Sequence, residues 1–351
     1  MTRVLVLGGT LFLGRHIVAA ARARDFAVTV FTRGRSGSVE HSDVECLYGD
    51  RGADLGALKG KHWDWVIDTS AYHPRHVQAI AQVLPHVERY VLISSASVYR
   101  DFPETGATES TATHEPLWDA TVEPGPIVYG QLKRACEEAA THAYAGRVVV
   151  IRPGVLVGPF DLTRRFPYWV HRIAAGGEVL APGSPSRRIQ LLDARDLAAW
   201  IMGLPASVAE GVFNAAGPAD CLTMAGMLSA CCDVARSNAQ LTWVSDEFLL
   251  AKGVMPWSEL PLWVPASAGT LLLIDDSKAR RLNLRHRSLR DSAADAMRTP
   301  MDSRLVLAGG MSKATPLSRD REVALLREWS GARPNEELWL TARPSLRKLS
   351  G

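Results

Sequence analysis

Short apolar runs alternate with stretches of helical periodicity through the first 150 or so residues. The runs are Val4-Leu7, Val28-Phe31, Val66-Ile67, Tyr90-Ile93 and Val148-Ile151. A strand open to water on one face would alternate apolar with polar positions, so these continuous runs predict strands buried on both faces. The stretches between them, Arg15 to Arg24, a short helix around Leu55 to Lys59, Arg75 to Leu84 and Gly130 to Ala143, supply helices. Such alternation needs right-handed crossovers and a parallel sheet covered on both sides. The expected fold class is α/β, a doubly wound parallel sheet.

Between Arg100 and Pro126 the chain is rich in Thr, Glu, Pro and Gly without an apolar period. It predicts a long loop leaving the C-terminal edge of the strand at Tyr90-Ile93, the edge that usually faces a ligand. After Gly158-Pro159 the alternation breaks down into a basic and aromatic segment containing Arg164, Arg165, Phe166, Tyr168, Trp169, His171 and Arg172. Strand-like sequence returns at Ile189-Leu192 and Val212-Asn214, and short helices and Trp/Pro-rich loops fill 219 to about 300. We expect a nucleotide-binding domain over 1–160 with a sheet extension from about 188–218, a smaller substrate-binding region over 161–300, and a C-terminal helix and tail over 301–351. In that last part Ser318 is placed to cap a helix running to Trp329.

Composition narrows the function classes. Hydrophobic residues are 47% and charged residues 22% of 351, as in an ordinary globular protein. The net charge of +3 arises from 40 basic and 37 acidic residues with no long block of one sign, so nucleic acid is not an expected partner. Cys46, Cys136, Cys221, Cys231 and Cys232 show no CxxC spacing, which predicts reduced structural thiols and no metal site. With no 18-residue apolar stretch and no leader-like N-terminus, a cytoplasmic location without membrane attachment is expected. The expected partner is a small molecule, and a homodimer is the candidate assembly.

The first strand runs directly into Gly8-Gly9-Thr10-Leu11-Phe12-Leu13-Gly14, which opens the first helix. Glycines there let the backbone turn and approach a pyrophosphate, and the helix N-terminus offers free N–H groups. Leu11 stands where a complete GxxGxxG would have glycine. The second strand ends Phe31-Thr32-Arg33-Gly34-Arg35 with no acid to bind an adenosine ribose. Two guanidinium groups can instead meet a 2'-phosphate, so NADP(H) is favoured over NAD(H), the alternative being that Arg33 and Arg35 form a solvated turn. Asp50, beside Arg51, would lie near the adenine or serve as a turn residue.

Tyr129 and Lys133 are four apart on one helix and therefore on one face. A phenol near its reference pKa of about 10 is a poor base at neutral pH, and a nearby ammonium would make it usable. The strand before the long loop ends Ile93-Ser94-Ser95-Ala96-Ser97-Val98-Tyr99. A hydroxyl at that end can polarise a carbonyl oxygen, or the small residues there can simply pack.

The order of GGTxFLG, SSxSVY, YxxxK, Ile151-Arg152-Pro153-Gly154 with Val157-Gly158-Pro159, and Asp196-Leu197-Ala198 resembles the extended short-chain dehydrogenase/reductase superfamily, in its NAD-dependent epimerase/dehydratase-like group, over about residues 3 to 230. The resemblance implies a Rossmann-type fold with Ser95, Tyr129 and Lys133 as catalytic residues. It also implies cofactor contacts from Asp50, from Asp68, Thr69 and Ser70, and from Pro153. Dehydratases of this group carry an Asp-Glu pair just after the catalytic hydroxyl. Here those positions are Ala96 and Ser97, which argues against dehydration.

Substrate candidates are Tyr72, Ser97, Arg164, Arg188 and Trp257, with His73 as a further group near the nicotinamide. Arg164, Arg165, Arg187 and Arg188 could clamp a diphosphate or carboxylate, or form a solvated face. Trp257 and Trp263 could line an apolar pocket or anchor packing. The expected function is an NADP(H)-dependent reductase or dehydrogenase acting on a carbonyl or alcohol of a sugar-nucleotide or secondary-metabolite substrate. Alternatives are an NAD-dependent nucleotide-sugar epimerase, and a non-catalytic RNA-binding relative like the plastid stem-loop-binding proteins, which share the GGTxFxG turn.

Overall fold

The computed structural model describes residues 1–35, 43–119, 121–217, 222–270, 273–298 and 315–332. In chain order the elements are β1 (Arg3–Leu7), α1 (Phe12–Arg22), β2 (Ala27–Thr32), β3 (Glu45–Tyr48), β4 (Trp65–Asp68), α2 (Pro74–Val83), β5 (Arg89–Ile93), α3 (Tyr129–Ala143) and β6 (Val148–Pro153). They continue with β7 (Leu156–Val157), α4 (Arg165–Ala174), β8 (Glu178–Pro182), β9 (Leu192–Asp193), α5 (Ala194–Gly203), β10 (Gly211–Ala215) and α6 (Met224–Ala235). The last are β11 (Gln240–Val244), α7 (Asp246–Ala251), α8 (Ser277–Arg281), α9 (Leu289–Arg298) and α10 (Arg319–Ala332).

The central sheet has seven strands in the order β10-β6-β5-β4-β1-β2-β3, every pair parallel. The unbroken apolar runs follow from what covers each face. Val4 and Val6 of β1 pack with Ile17 and Val18 of α1 and with Leu197 and Ile201 of α5. Leu5 and Leu7 point the other way, into a core shared with Val77 and Ile80 of α2 and Ala139 and Ala140 of α3. Each such side chain contributes roughly 1.5–3 kcal/mol by leaving water. Strand order reverses between β1 and β4, so the loops after these two strands splay apart and open a crevice.

A further core lies beyond β6, where Phe166 and Trp169 of α4 meet Leu180 of β8, Leu228 of α6 and Leu325 of α10. α10 is tied to it by Glu322, which accepts from Arg172 Nε at 2.7 Å and from the Leu180 amide at 2.9 Å. The expected cap is present, with Ser318 Oγ accepting from the Arg321 amide at 3.3 Å.

The structure sharpens three sequence expectations. Leu55 to Lys59 holds only a 3-10 turn, Gly56–Leu58, because flanking glycines leave too little chain to complete an α-helix. The basic and aromatic segment is the amphipathic helix α4. Pro167 is tolerated there because first-turn amides have no partner within the helix. The region 188–218 reaches the main sheet only through β10. β9 pairs with β7 in a separate ladder and stops after two residues, where Asp193 turns to cap α5 by accepting from the Arg195 amide at 2.9 Å. Among the described residues no helix is long and apolar enough to cross a membrane, and no cluster of potential metal ligands occurs. Cys46, Cys136, Cys231 and Cys232 are free thiols, and Cys221 lies outside the described residues.

Candidate active site

The crevice floor is the turn after β1. Gly8 has a φ of +92°, and a Cβ there would lie 2.6 Å from Thr69 Oγ1. A Cβ on Gly14 would lie 2.1 Å from the carbonyl oxygen of Gly8, so helix and turn touch backbone to backbone. Leu11 breaks the glycine pattern at no steric cost, because its φ of −125° is open to any residue. It precedes α1 without capping it through its side chain, so the first-turn amides of Phe12, Leu13 and Gly14 remain available to an anion. This backbone cradle, lined by Gly8, Gly9 and the buried Thr10, fits a pyrophosphate.

At the rim, Thr32 Oγ1 accepts from the Gly34 amide at 3.3 Å, and Arg33 and Arg35 are exposed on either side of that glycine. Asp50 makes a local turn, accepting the Gly52 amide at 2.9 Å. Arg51 turns inward. Its Nη1 and Nη2 each donate to a carboxylate oxygen of Asp68 at 2.7 Å, and Nη1 also donates to Ser70 Oγ at 2.9 Å. Tyr90 Oη donates to Asp68 at 2.6 Å. Burial works to raise the Asp68 carboxyl, but the adjoining Arg51 charge and these hydrogen bonds outweigh it and hold the group below the usual carboxylate range. Asp68 is thus a buried ion-pair partner that orients Ser70 beneath the turn, while Thr69 Oγ1 donates to Leu7 O at 2.9 Å.

The catalytic candidates converge on the adjacent strand ends. Ser95 follows β5, and its Oγ accepts the Ser97 amide at 3.1 Å. Tyr129 begins α3, close enough to Ser95 for that serine to act on its hydroxyl. Burial drives this phenol well above its ordinary range, neighbouring Tyr72 adds to the effect, and Ser95 opposes it. Lys133 is buried one turn later and donates to Ala71 O at 2.8 Å and Ile93 O at 2.5 Å. Its burial lowers its pKa, and its ammonium stands 5.5 Å from the Tyr72 ring centroid. Pro153 ends β6 on the same side.

Gly130 is a residue that sequence reasoning missed. A Cβ there would lie 2.0 Å from the carbonyl oxygen of Ser97, so only glycine lets α3 start against the Ser95–Ser97 turn. A glycine directly after the tyrosine of YxxxK was the available signal. Gly130→Ala should separate Tyr129 from Ser95 and lower kcat by about 100-fold or more while cofactor affinity stays within about threefold, as a misplacement on the order of 1 Å would. Stopped-flow kinetics with a fluorescence titration would check both.

His73 is not an extra group at the site. Its Nδ1 accepts the Arg75 amide at 3.2 Å as the cap of α2, and its Nε2 meets Asp119 O at 3.1 Å, so both nitrogens are engaged. Trp263 is likewise a packing anchor, fully buried with Nε1 donating to Asp246 at 2.8 Å. Trp257 is half-buried and carries the Arg165 guanidinium 4.8 Å from its ring centroid. Arg187 and Arg188 line a separate cleft of about 270 Å³ with Ser184, Ser186 and Thr270. There Arg187 pairs with Asp246 at 3.6 Å, and Arg188 is exposed.

Similarity to known proteins agrees with this fold. The chain is 26% identical over 247 residues to the chloroplast stem-loop binding protein of 41 kDa b of Arabidopsis thaliana, covering 65% of this chain and 62% of that one. It is 28% identical over 216 residues to the 2'-dehydrokanamycin reductase of Streptomyces kanamyceticus, covering 58% of each. The matches thus span less than two thirds of either relative. Among solved structures, the Bordetella bronchiseptica enzyme WbmH in complex with NAD+ superposes with a TM-score of 0.62 at 16% identity, over 85% of this chain and 98% of that one. The profile of one family covers residues 4–216, from β1 to the end of the main sheet. The chain belongs to the NAD dependent epimerase/dehydratase family.

Proposed function

We propose that the chain is an NADP(H)-dependent reductase of a ketone on a sugar or related secondary metabolite. The observation that carries this reading is a half-buried phenol raised above its ordinary range, beside a serine hydroxyl, at the sheet edge next to a pyrophosphate cradle. Carbonyl reduction needs a proton donor at the oxygen, and Tyr129 is that donor, with Ser95 steadying the oxygen by a hydrogen bond. Lys133, one turn along α3 from Tyr129, fixes the helix to the β5 end through Ile93 O. The nicotinamide supplies the hydride when bound.

In this reading Gly8, Gly9, Thr10, Phe12, Leu13 and Gly14 hold the pyrophosphate. Thr32, Arg33 and Arg35 hold the adenosine and its 2'-phosphate, and Asp50, Arg51, Asp68, Thr69, Ser70 and Pro153 shape the rest of the cradle. Tyr72, Ser97, Arg164 and Trp257 face the substrate, while Arg188 lines the separate cleft beside Arg187. The kinship with a 2'-dehydrokanamycin reductase supports reduction of a ring ketone, and Ala96 and Ser97 offer no acids for expelling water.

The test is NADPH consumption at 340 nm against a panel of sugar and aminocyclitol ketones, 2'-dehydrokanamycin included. Turnover that goes equally well with NADH defeats the assignment of Arg33 and Arg35. Replacing both with Ala should cut the NADPH preference by about 10- to 100-fold, the worth of charge-assisted hydrogen bonds to a phosphate. Kinship with a stem-loop binding protein supports RNA binding as a second reading. Filter binding at two salt concentrations separates the readings, since phosphate-driven RNA affinity falls steeply with salt.

A further inference from the structure

A buried charge pair lies behind the turn that carries Ser95 and takes no part in the chemistry above. Glu137, two turns beyond Tyr129 on α3, and Arg152 of β6 are both buried. Glu137 Oε1 accepts from Arg152 Nε at 2.9 Å and Oε2 from Arg152 Nη2 at 2.7 Å, with the Arg134 guanidinium 3.7 Å away. Apolar residues of the same volume often replace such a pair without loss of stability, so stability alone does not account for it.

Each partner reaches one end of the turn. Ser94 Oγ, just before Ser95, donates to Glu137 Oε1 at 2.6 Å, and the Ser94 amide donates to Ile151 O at 2.7 Å, which sets Ser94 beside Arg152. At the other end, Tyr99 Oη accepts from Arg152 Nη1 at 3.1 Å and donates to Asn214 Oδ1 of β10 at 2.6 Å. Asn214 is itself fixed, because its Nδ2 donates to Ala107 O at 2.9 Å and to Asp275 O at 3.1 Å. Between the two ties lies a 3-10 turn, Ala96–Val98, in which the amides of Ser97, Val98 and Tyr99 donate to Ser95 Oγ, Ser95 O and Ala96 O.

We propose that the Glu137–Arg152 pair positions the Ser95 hydroxyl for the reaction by holding both ends of its turn, at Ser94 and at Tyr99, against the helix that brings Tyr129. This rests on the reductase reading above. A turn tied at one end can pivot, and a hydroxyl polarises a carbonyl oxygen only within about 2.7–3.1 Å of it. Tyr129 and Glu137 share α3, so the acid and the tie behind Ser95 take their spacing from one rigid element. A carboxylate can do this where an apolar side chain cannot, because its oxygens accept from Ser94 and Arg152 in set directions. Glu137 and Arg152 act through the turn and are positioning residues.

The experiment compares Ser94→Ala and Tyr99→Phe, each of which removes one hydroxyl and leaves the ion pair in place, with Tyr144→Phe as control. Tyr144 Oη donates to Leu84 O at 2.9 Å just past the far end of α3, so the control loses a buried hydroxyl of the same kind away from the turn. Hydrogen exchange of the Ser97, Val98 and Tyr99 amides, read by mass spectrometry, should quicken by about 5- to 30-fold in both test variants, the factor for losing one such bond in local opening. With NADPH and the ketone panel, kcat should fall by about 10-fold or more while both KM values stay within about threefold, a split that a general loss of stability does not produce. The control should change neither readout. Unchanged exchange in either test variant, unchanged kcat with a loosened turn, or an equal loss of kcat in Tyr144→Phe would overturn the proposal. A wild type that reduces no ketone sinks the reductase reading alone, because exchange still decides whether the pair holds the turn.

Discussion

Tyr129→Phe should reduce hydride transfer by about 100- to 10,000-fold, the range for losing a positioned general acid, while leaving cofactor affinity nearly unchanged. The ring stays and only the hydroxyl goes, so the packing of α3 against the Ser95–Ser97 turn is preserved. Because burial holds this phenol well above its ordinary range, it stays protonated through neutral pH, and the reductive rate in the wild type should be flat between about pH 6 and 9 on this account. Single-turnover oxidation of NADPH measures both. Undiminished turnover in the variant would falsify the assignment of the proton donor.

That assignment was legible in part. YxxxK predicted that Tyr129 and Lys133 share a helix face, and SSxSVY predicted a hydroxyl at the β5 end. What spacing cannot show is where the ammonium goes. Lys133 reaches across 40 residues to Ile93 O and 62 to Ala71 O, so its contacts depend on strand pairing and not on the helix that carries it. The expectation that a lysine would ease the phenol toward ionisation overlooked burial, which dominates Tyr129.

The fold was more legible than the site because its signal is local. The β1 run predicts a strand covered on both faces, and the covering helices α1, α5, α2 and α3 are there. Boundaries depended on single residues, as where Asp193 ends the β9 ladder and at once caps α5. α4 was obscured by Arg164, Arg165 and Pro167, residues that break a sequence pattern but suit a helix start. Arg51 shows the same limit at the site. It stands beside Asp50 in the sequence, yet its guanidinium is spent on Asp68, a partner 17 residues away.

Asp68→Ala is therefore expected to cost stability as well as cofactor affinity. It removes both carboxylate oxygens from Arg51 and the acceptor from Tyr90, leaving a buried guanidinium with Ser70 Oγ at 2.9 Å and His76 O at 3.2 Å. Breaking a buried pair on one side costs about 3–5 kcal/mol, since the remaining charge stays out of water. Urea unfolding should show that loss at pH 7. The Asp68 carboxyl titrates lower in the folded chain than its unfolded value of about 3.9, so its contribution is complete above that value and disappears as pH falls through the folded one. The gap between wild type and variant should hold from neutrality down to about pH 4 and narrow below it. A gap that instead closed on raising the pH above 7 would mean that some group other than this carboxylate holds Arg51. The Ser70 amide also loses Asp68 Oδ1, its acceptor at 3.0 Å, which loosens Ser70 beneath Gly8, and NADPH affinity should fall with the stability; Asp68→Asn, which keeps one acceptor for the guanidinium, should recover part of both.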